Sequence, residues 1–175
     1  MYIALGAVIL VLVVVGVFLV TALFGAPYVA SGEKEIIRAF DKLRPLTKDD
    51  VLVDFGCGDG VVLRAAAKSG AKKAVGIEIN PILVTLARRK SRGDKKVQVI
   101  NGDMTKTVLP SDMTVVYVFG LDRVMKMIMP VIEKHVRKHG KSIDVVSKAF
   151  EFNGMKPIAK TNSHYLYRID GALQN

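Results

Sequence analysis

Val51-Leu-Val-Asp54-Phe-Gly56-Cys-Gly58-Asp-Gly60 is an apolar run that passes through one acid into three alternate glycines. The run reads as a buried strand, Val51–Phe55, and the helical spacing that begins at Val61 places a helix directly behind the turn. Glycine permits positive φ and lets a ligand approach the backbone, while the helix N-terminus offers unpaired N–H donors. A nucleotide-like ligand is implied. A nicotinamide dinucleotide would require G-x-G-x-x-G/A, but the last position falls on Val61 counted from Gly56 and on Leu63 counted from Gly58, so that fingerprint fails in both registers.

Working outward, strand-like and helix-like segments alternate. Val61–Ser69 is a helix, Ala74–Ile79 a strand, Pro81–Ser91 a helix, Val97–Ile100 and Thr114–Phe119 strands, Leu121–His139 a helix and Ile143–Phe150 a strand. Such alternation predicts an α/β fold, a doubly wound and mostly parallel sheet with helices on both faces. Met155–Lys160 and His164–Ile169 flank the turn-like Thr161-Asn162-Ser163 and read as an antiparallel hairpin at the sheet edge, which makes seven strands. Before the first strand, Ile36, Ile37, Phe40 and Leu43 recur at helical spacing after a candidate N-cap at Ser31, and Pro45 closes this lead-in helix.

Asp54 followed by G-x-G-x-G resembles the first motif of class I S-adenosylmethionine-dependent methyltransferases. The resemblance implies a Rossmann-like fold and S-adenosyl-L-methionine as cofactor, with S-adenosyl-L-homocysteine as product. It lays Gly56, Cys57, Gly58 and Gly60 against the methionine part of the cofactor and gives Asp54 the task of holding that end. A carboxylate suits this place because the cofactor carries an ammonium and a sulfonium but no phosphate. Glu78, at the end of Ala74-Val-Gly-Ile-Glu78 and followed by Ile79, is then expected to accept both ribose hydroxyls. Asp103, in Asn101-Gly-Asp103-Met104, is expected to receive the adenine amino group with Met104 beside the ring. An isolated acid at a strand end reads as a helix cap or surface charge; three in this order point to the cofactor.

Pro27 to Ser31, Asp54 to Ala67 and Gly76-Ile-Glu78-Ile-Asn80-Pro81 further resemble the membrane-anchored lysine methyltransferases of the ATP synthase c subunit and the adenine nucleotide translocase. The chain departs from them at Val61 and Ile82, where an arginine and a tryptophan are expected. After the fourth strand, Tyr117-Val-Phe119-Gly120 occupies the place of the Asp/Asn-Pro-Pro-Tyr signature of many nucleic-acid and glutamine methyltransferases. A lysine amine needs no such signature, because it is nucleophilic once it loses its proton and is aligned. Tyr117 and Tyr28 are the candidates for lining that channel, against the plainer reading of core or interface aromatics.

From Ile3 to Phe24 the chain carries no charge, and at about 1.5 Å per residue this run spans the ~30 Å hydrocarbon layer of a membrane. It reads as one transmembrane helix; a cleaved signal peptide would have a basic start and a shorter apolar core. The expected organisation is therefore an anchor, residues 1–26, and a methyltransferase domain, residues 27–175. The net charge of +10 lies wholly beyond residue 32, with Lys34, Arg38, Lys42, Arg44 and Lys48 close behind the helix. Basic flanks place the domain on the cytoplasmic side, beside anionic lipid. A single cysteine excludes an internal disulfide. His135 and His139 have metal-binding spacing but no apparent third ligand and basic neighbours, so no metal is expected. The expected partner is a membrane protein with a target lysine. RNA or a small molecule is the alternative acceptor, with nucleic acid disfavoured by the 7% aromatic content; an inactive cofactor-binding scaffold is the non-enzyme alternative.

Overall fold

A computed structural model describes residues 5, 6, 8, 9, 11, 32–120 and 122–171. Contacts divide the chain into two units, Met1–Ala30 and Ser31–Asn175. In the first unit the described residues Leu5, Gly6, Val8, Ile9 and Val11 are helical, and Leu5, Val8, Ile9 and Val11 are exposed. The expected anchor, Ile3–Phe24, otherwise lies outside the described residues, as does Tyr28. Among the described residues no helix is long and apolar enough to cross a membrane.

The second unit runs α1 (Glu33–Leu43), β1 (Val51–Phe55), α2 (Val61–Lys68), β2 (Lys73–Glu78), α3 (Pro81–Lys90), β3 (Val97–Asn101), β4 (Val115–Phe119), α4 (Asp122–His139), β5 (Ile143–Lys148), β6 (Ala159–Lys160) and β7 (His164–Ile169). Its strands form one seven-stranded sheet in the order β3-β2-β1-β4-β5-β7-β6. The first five are parallel, and β7 is antiparallel to both β5 and β6. The α/β alternation and the edge hairpin are thus those read from the chain.

Alternation along each strand divides the core in two. Leu52, Tyr117, Val146 and Leu166 pack with Ile36 and Phe40 of α1, Leu63 of α2 and Val84 of α3. Val53, Phe55, Val116, Val118 and Tyr167 pack on the other face with Met125, Ile128, Ile132 and Val136 of α4. Between β3 and β4 no helix forms; Met104, Leu109 and Met113 of that irregular crossover cover the second face instead.

Three local expectations are corrected. The α1 cap is Gly32, in extended backbone and without a side-chain cap bond; Ser31 lies outside the described residues. β5 stops at Lys148 rather than Phe150, because Ala149 turns out of the strand with φ 66°. The Met155–Lys160 strand shrinks to Ala159–Lys160; Pro157 has no N–H to donate to a ladder, and Met155 N–H donates back to the Phe152 carbonyl in a turn.

Candidate functional site

The strand order reverses between β1 and β4, and such a switch point opens a crevice at the carboxyl ends of the strands. The glycine turn lies there. Gly56, Gly58 and Gly60 all have positive φ, at 79°, 53° and 76°. The turn stays tied to β2, since the N–H groups of Gly56 and Cys57 both donate to the Ile77 carbonyl, at 2.9 and 3.1 Å. A Cβ on Gly56 would meet nothing within 4 Å, so open space lies over the backbone at this point. Gly76 is glycine for the opposite reason: a Cβ there would come within 2.5 Å of Cys57 Sγ. Cys57 is buried, and burial first, then Asp54 and Glu78, push its thiol far up.

Two buried acids, Asp54 and Glu78, flank this turn, close enough for their charges to interact. Asp54 is 3% exposed and makes no hydrogen bond or ion pair with the described residues, so burial, aided by the charge of Glu78, pushes its carboxyl well above its usual range. Glu78 is built into the backbone: Oε2 accepts from Gly58 N–H at 3.0 Å and Oε1 from Asn80 N–H at 2.8 Å. Each oxygen keeps a second lone pair. Asn80 caps α3 by accepting from Ile82 N–H at 2.9 Å, and Ile79 between them is exposed.

The third acid is open. Asp103 Oδ1 accepts from the N–H and hydroxyl of Thr105, at 2.8 and 2.7 Å, and those bonds first, with Lys106 nearby, hold the carboxyl below its usual range. Among the described residues its Oδ2 has only Lys106, at 3.7 Å. Met104 is partly buried against the second core. Two supporting residues carried no clear local signal. Asn101 Nδ2 donates to the carbonyls of Glu78 and Ile79, at 2.9 and 3.1 Å, tying the ends of β2 and β3 together. Asp59, inside the glycine motif, is clamped by Lys90 at 2.5 Å and by Arg64 at 3.7 Å; burial would raise it, but these cations hold it low.

Tyr117 pairs in register with Asp54 yet is 1% exposed, edge-on to Phe40 at 6.0 Å. Its hydroxyl lies 3.0 Å from His164 Nε2, and burial keeps the phenol protonated. His164 Nδ1 lies 3.0 Å from Ser163 Oγ, which donates to Glu35 Oε1 at 3.1 Å. One tautomer satisfies all three contacts: Tyr117 donates to Nε2, and Nδ1–H donates to Ser163. Burial lowers the His164 pKa, which keeps this ring neutral. The other oxygen of the Glu35 carboxylate, Oε2, meets Lys148 Nζ at 3.0 Å. His135 and His139 on α4 lie 4.4 Å apart between ring centroids with their planes tilted by 38°, and among the described residues no three of His, Cys, Asp and Glu gather as a metal would need.

These residues fit S-adenosylmethionine. A buried carboxylate without a partner among the described residues, beside an open glycine backbone, suits a cationic ligand, which the ammonium end supplies; Glu78 and Asp103 retain acceptor capacity for hydroxyl and amino donors. The family model of the ANTKMT methyltransferase domain matches residues 54–159. A protein named protein-lysine N-methyltransferase from Saccharolobus islandicus is 36% identical over 135 residues, 75% of this chain and 81% of that protein. Ribosomal protein L11 methyltransferase from Haemophilus influenzae is 33% identical over 96 residues, 53% of this chain and 32% of that longer protein. Among solved structures, an RNA methyltransferase from Salinibacter ruber in complex with S-adenosyl-L-homocysteine superposes with a TM-score of 0.74 at 26% identity, covering 83% of this chain and 97% of that one.

Proposed function

The chain belongs to the ANTKMT methyltransferase domain family and is an S-adenosylmethionine-dependent methyltransferase, and from that premise we propose that it is a protein-lysine N-methyltransferase anchored by residues 1–26 and acting on a membrane protein. The observation that carries the lysine reading is the 36% identity, spread over three quarters of the chain, to a protein-lysine N-methyltransferase. The anchor rests on the uncharged Ile3–Phe24 run and the basic residues behind it, which orient the domain, residues 27–175, toward the cytoplasm.

In this reading Asp54 receives the ammonium of the cofactor, Glu78 the ribose hydroxyls through its remaining lone pairs, and Asp103 Oδ2 the adenine amino group. Gly56, Cys57, Gly58 and Gly60 form the wall against the methionine end, with Ile79 and Met104 beside the nucleoside. The bound cofactor supplies a methyl group on a sulfonium, already electrophilic. The protein's contribution is positional: it must hold a deprotonated lysine amine in line and keep water out. Tyr117, with its hydroxyl held by His164, serves as floor rather than as a base; Tyr28 is the candidate wall from the segment before α1.

The test adds the full-length protein and methyl-labelled S-adenosylmethionine to native membranes and locates the label by mass spectrometry. Methylated lysine in a membrane protein is expected. Label confined to RNA would favour the activity named for the Salinibacter neighbour, and cofactor binding without transfer to any acceptor would leave a scaffold.

A further inference from the structure

At the carboxyl ends of β4 and β5 a lysine is held in an unusual way. Lys148 Nζ lies 3.0 Å from Glu35 Oε2 and 5.6 Å from the centroid of the Phe119 ring, and its side chain is only 12% exposed. Phe150 stacks on Phe119, with centroids 6.3 Å apart and planes 25° apart. A carboxylate and an aromatic face are what an ammonium group needs when it leaves water.

Position and strain both set this cluster apart. Phe119 lies two residues beyond Tyr117 on the same face of β4, and Tyr117 pairs with Asp54, so the rings stand on the β4 side of the crevice whose β1 side is the glycine turn. Lys148 pairs with Phe119 across the sheet. Phe150 reaches its partner only because Ala149 takes φ 66°, alone among the non-glycine described residues. That conformation is costly for any side chain and persists only where its surroundings enforce it. Here Ala149 N–H donates to the Ser163 carbonyl at 2.8 Å and Ser147 Oγ to the Phe150 carbonyl at 2.5 Å. Ser163 also holds Glu35, at 3.1 Å.

We propose that Phe119, Phe150 and Glu35 form the seat for the acceptor ammonium, and that Lys148 occupies this seat until a substrate lysine displaces it. This deepens the lysine reading and rests on it. Lys148 is then an internal competitor that keeps the rings and the carboxylate arranged for a lysine side chain. A purely structural ion pair joining α1 to β5 would predict that loss of Lys148 weakens the cluster; the seat predicts that its loss favours an incoming amine.

The test titrates the full-length protein, loaded with S-adenosylhomocysteine and labelled at phenylalanine rings, with n-butylammonium as a lysine side-chain mimic and 1-butanol as its neutral counterpart. The expected result is that the Phe119 and Phe150 ring signals move on one saturable curve with the amine and stay still with the alcohol. Lys148→Met should tighten that binding several-fold, and Glu35→Gln and Phe119→Leu should weaken it, while Phe119→Tyr restores it. Rings that ignore the amine, that answer the alcohol equally, or that bind more weakly after Lys148→Met overturn the seat. If Lys148→Met does not fold, the wild-type titration and the Glu35→Gln and Phe119 variants decide. An enzyme that methylates lysines while its rings ignore butylammonium loses the seat and keeps its substrate class; amine binding by an enzyme that labels only RNA overturns the substrate class instead.

Discussion

Asp50, just before β1, and Asp54, near its carboxyl end, lie four residues apart, both almost fully buried, and their carboxyls move in opposite directions. Burial would raise Asp50, but Arg44, the backbone and hydroxyl of Thr47 and the Thr114 hydroxyl all donate to it and hold it low. Arg44 also meets Asp144 at 2.6 Å, and Arg168 meets the same acid at 2.8 Å. The amino end of the sheet is therefore a closed network whose charges satisfy one another. At the carboxyl end Asp54 is buried beside Glu78 with no such partner among the described residues. What separates them is the difference between a buried charge that the fold supplies with donors and one that it leaves without them among the described residues, and in the reading proposed above the second is kept for a ligand.

The largest break in this comparison should come from the closed end. Arg44→Ala leaves Asp50 and Asp144 buried with fewer donors; breaking a fully buried pair costs about 3–5 kcal/mol, and because the Arg44 side chain is 24% exposed the expected loss is about 2–4 kcal/mol in urea unfolding at neutral pH. The folded fraction should bind S-adenosylmethionine as before, as calorimetry will show. Impaired cofactor binding in the folded protein would mean that the two ends are coupled.

Asp54→Asn should do the reverse. It removes a buried charge that has no partner among the described residues, so the ligand-free protein becomes more stable at pH 7, while loss of a charge-assisted bond worth about 1.5–3 kcal/mol weakens the cofactor roughly ten- to a hundredfold. The sign of the pH dependence follows from the raised pKa. Between the usual value near 3.8 and the folded value, the folded state keeps a proton that the unfolded chain has released, so the stability that this acid contributes is present below about 3.8 and is lost as pH rises through the folded value. The stability advantage of Asp54→Asn should therefore grow from pH 4 to pH 7 and vanish in stronger acid. An advantage independent of pH would show that charge is not its cause.

The smallest effect concerns strain, which among non-glycine described residues falls only at Ala149, at the carboxyl end. Ala149→Gly relieves about 1–2 kcal/mol of left-handed strain against about 0.5–1 kcal/mol of added chain entropy. The expected gain is between about 0 and 1.5 kcal/mol by urea unfolding; a loss would mean that the Ala149 methyl is itself held by its surroundings.

Much of this was legible along the chain. Val51–Phe55, the alternate glycines and the three acids after successive strands are local patterns, and they fell at the crevice because a strand that ends in a glycine turn has few ways to continue. The end of β5 was not legible: Phe150 looks strand-forming, and what turns Ala149 aside is a bond to Ser163, which lies on the other side of β6. Glu35, Lys148 and His164 carry no local signal, since each acquires its role from partners distant in sequence. The α1 cap falls on Gly32, and the chain alone did not choose it because Ser and Gly are neighbouring candidates at an N-terminus.

By itself, then, the sequence determined the order of elements, the glycine turn and the family, because periods of two and 3.6 residues and positive-φ turns are properties of short segments. Only the tertiary structure decided which buried acids are paired, which face receives Tyr117, and that Phe119, Phe150, Lys148 and Glu35 meet. Those outcomes depend on strand register and on contacts such as Arg44 with Asp144 and Lys148 with Glu35, made between residues about a hundred positions apart. Burial and partners, not residue type, set a carboxylate's charge, and neither exists until the sheet has closed.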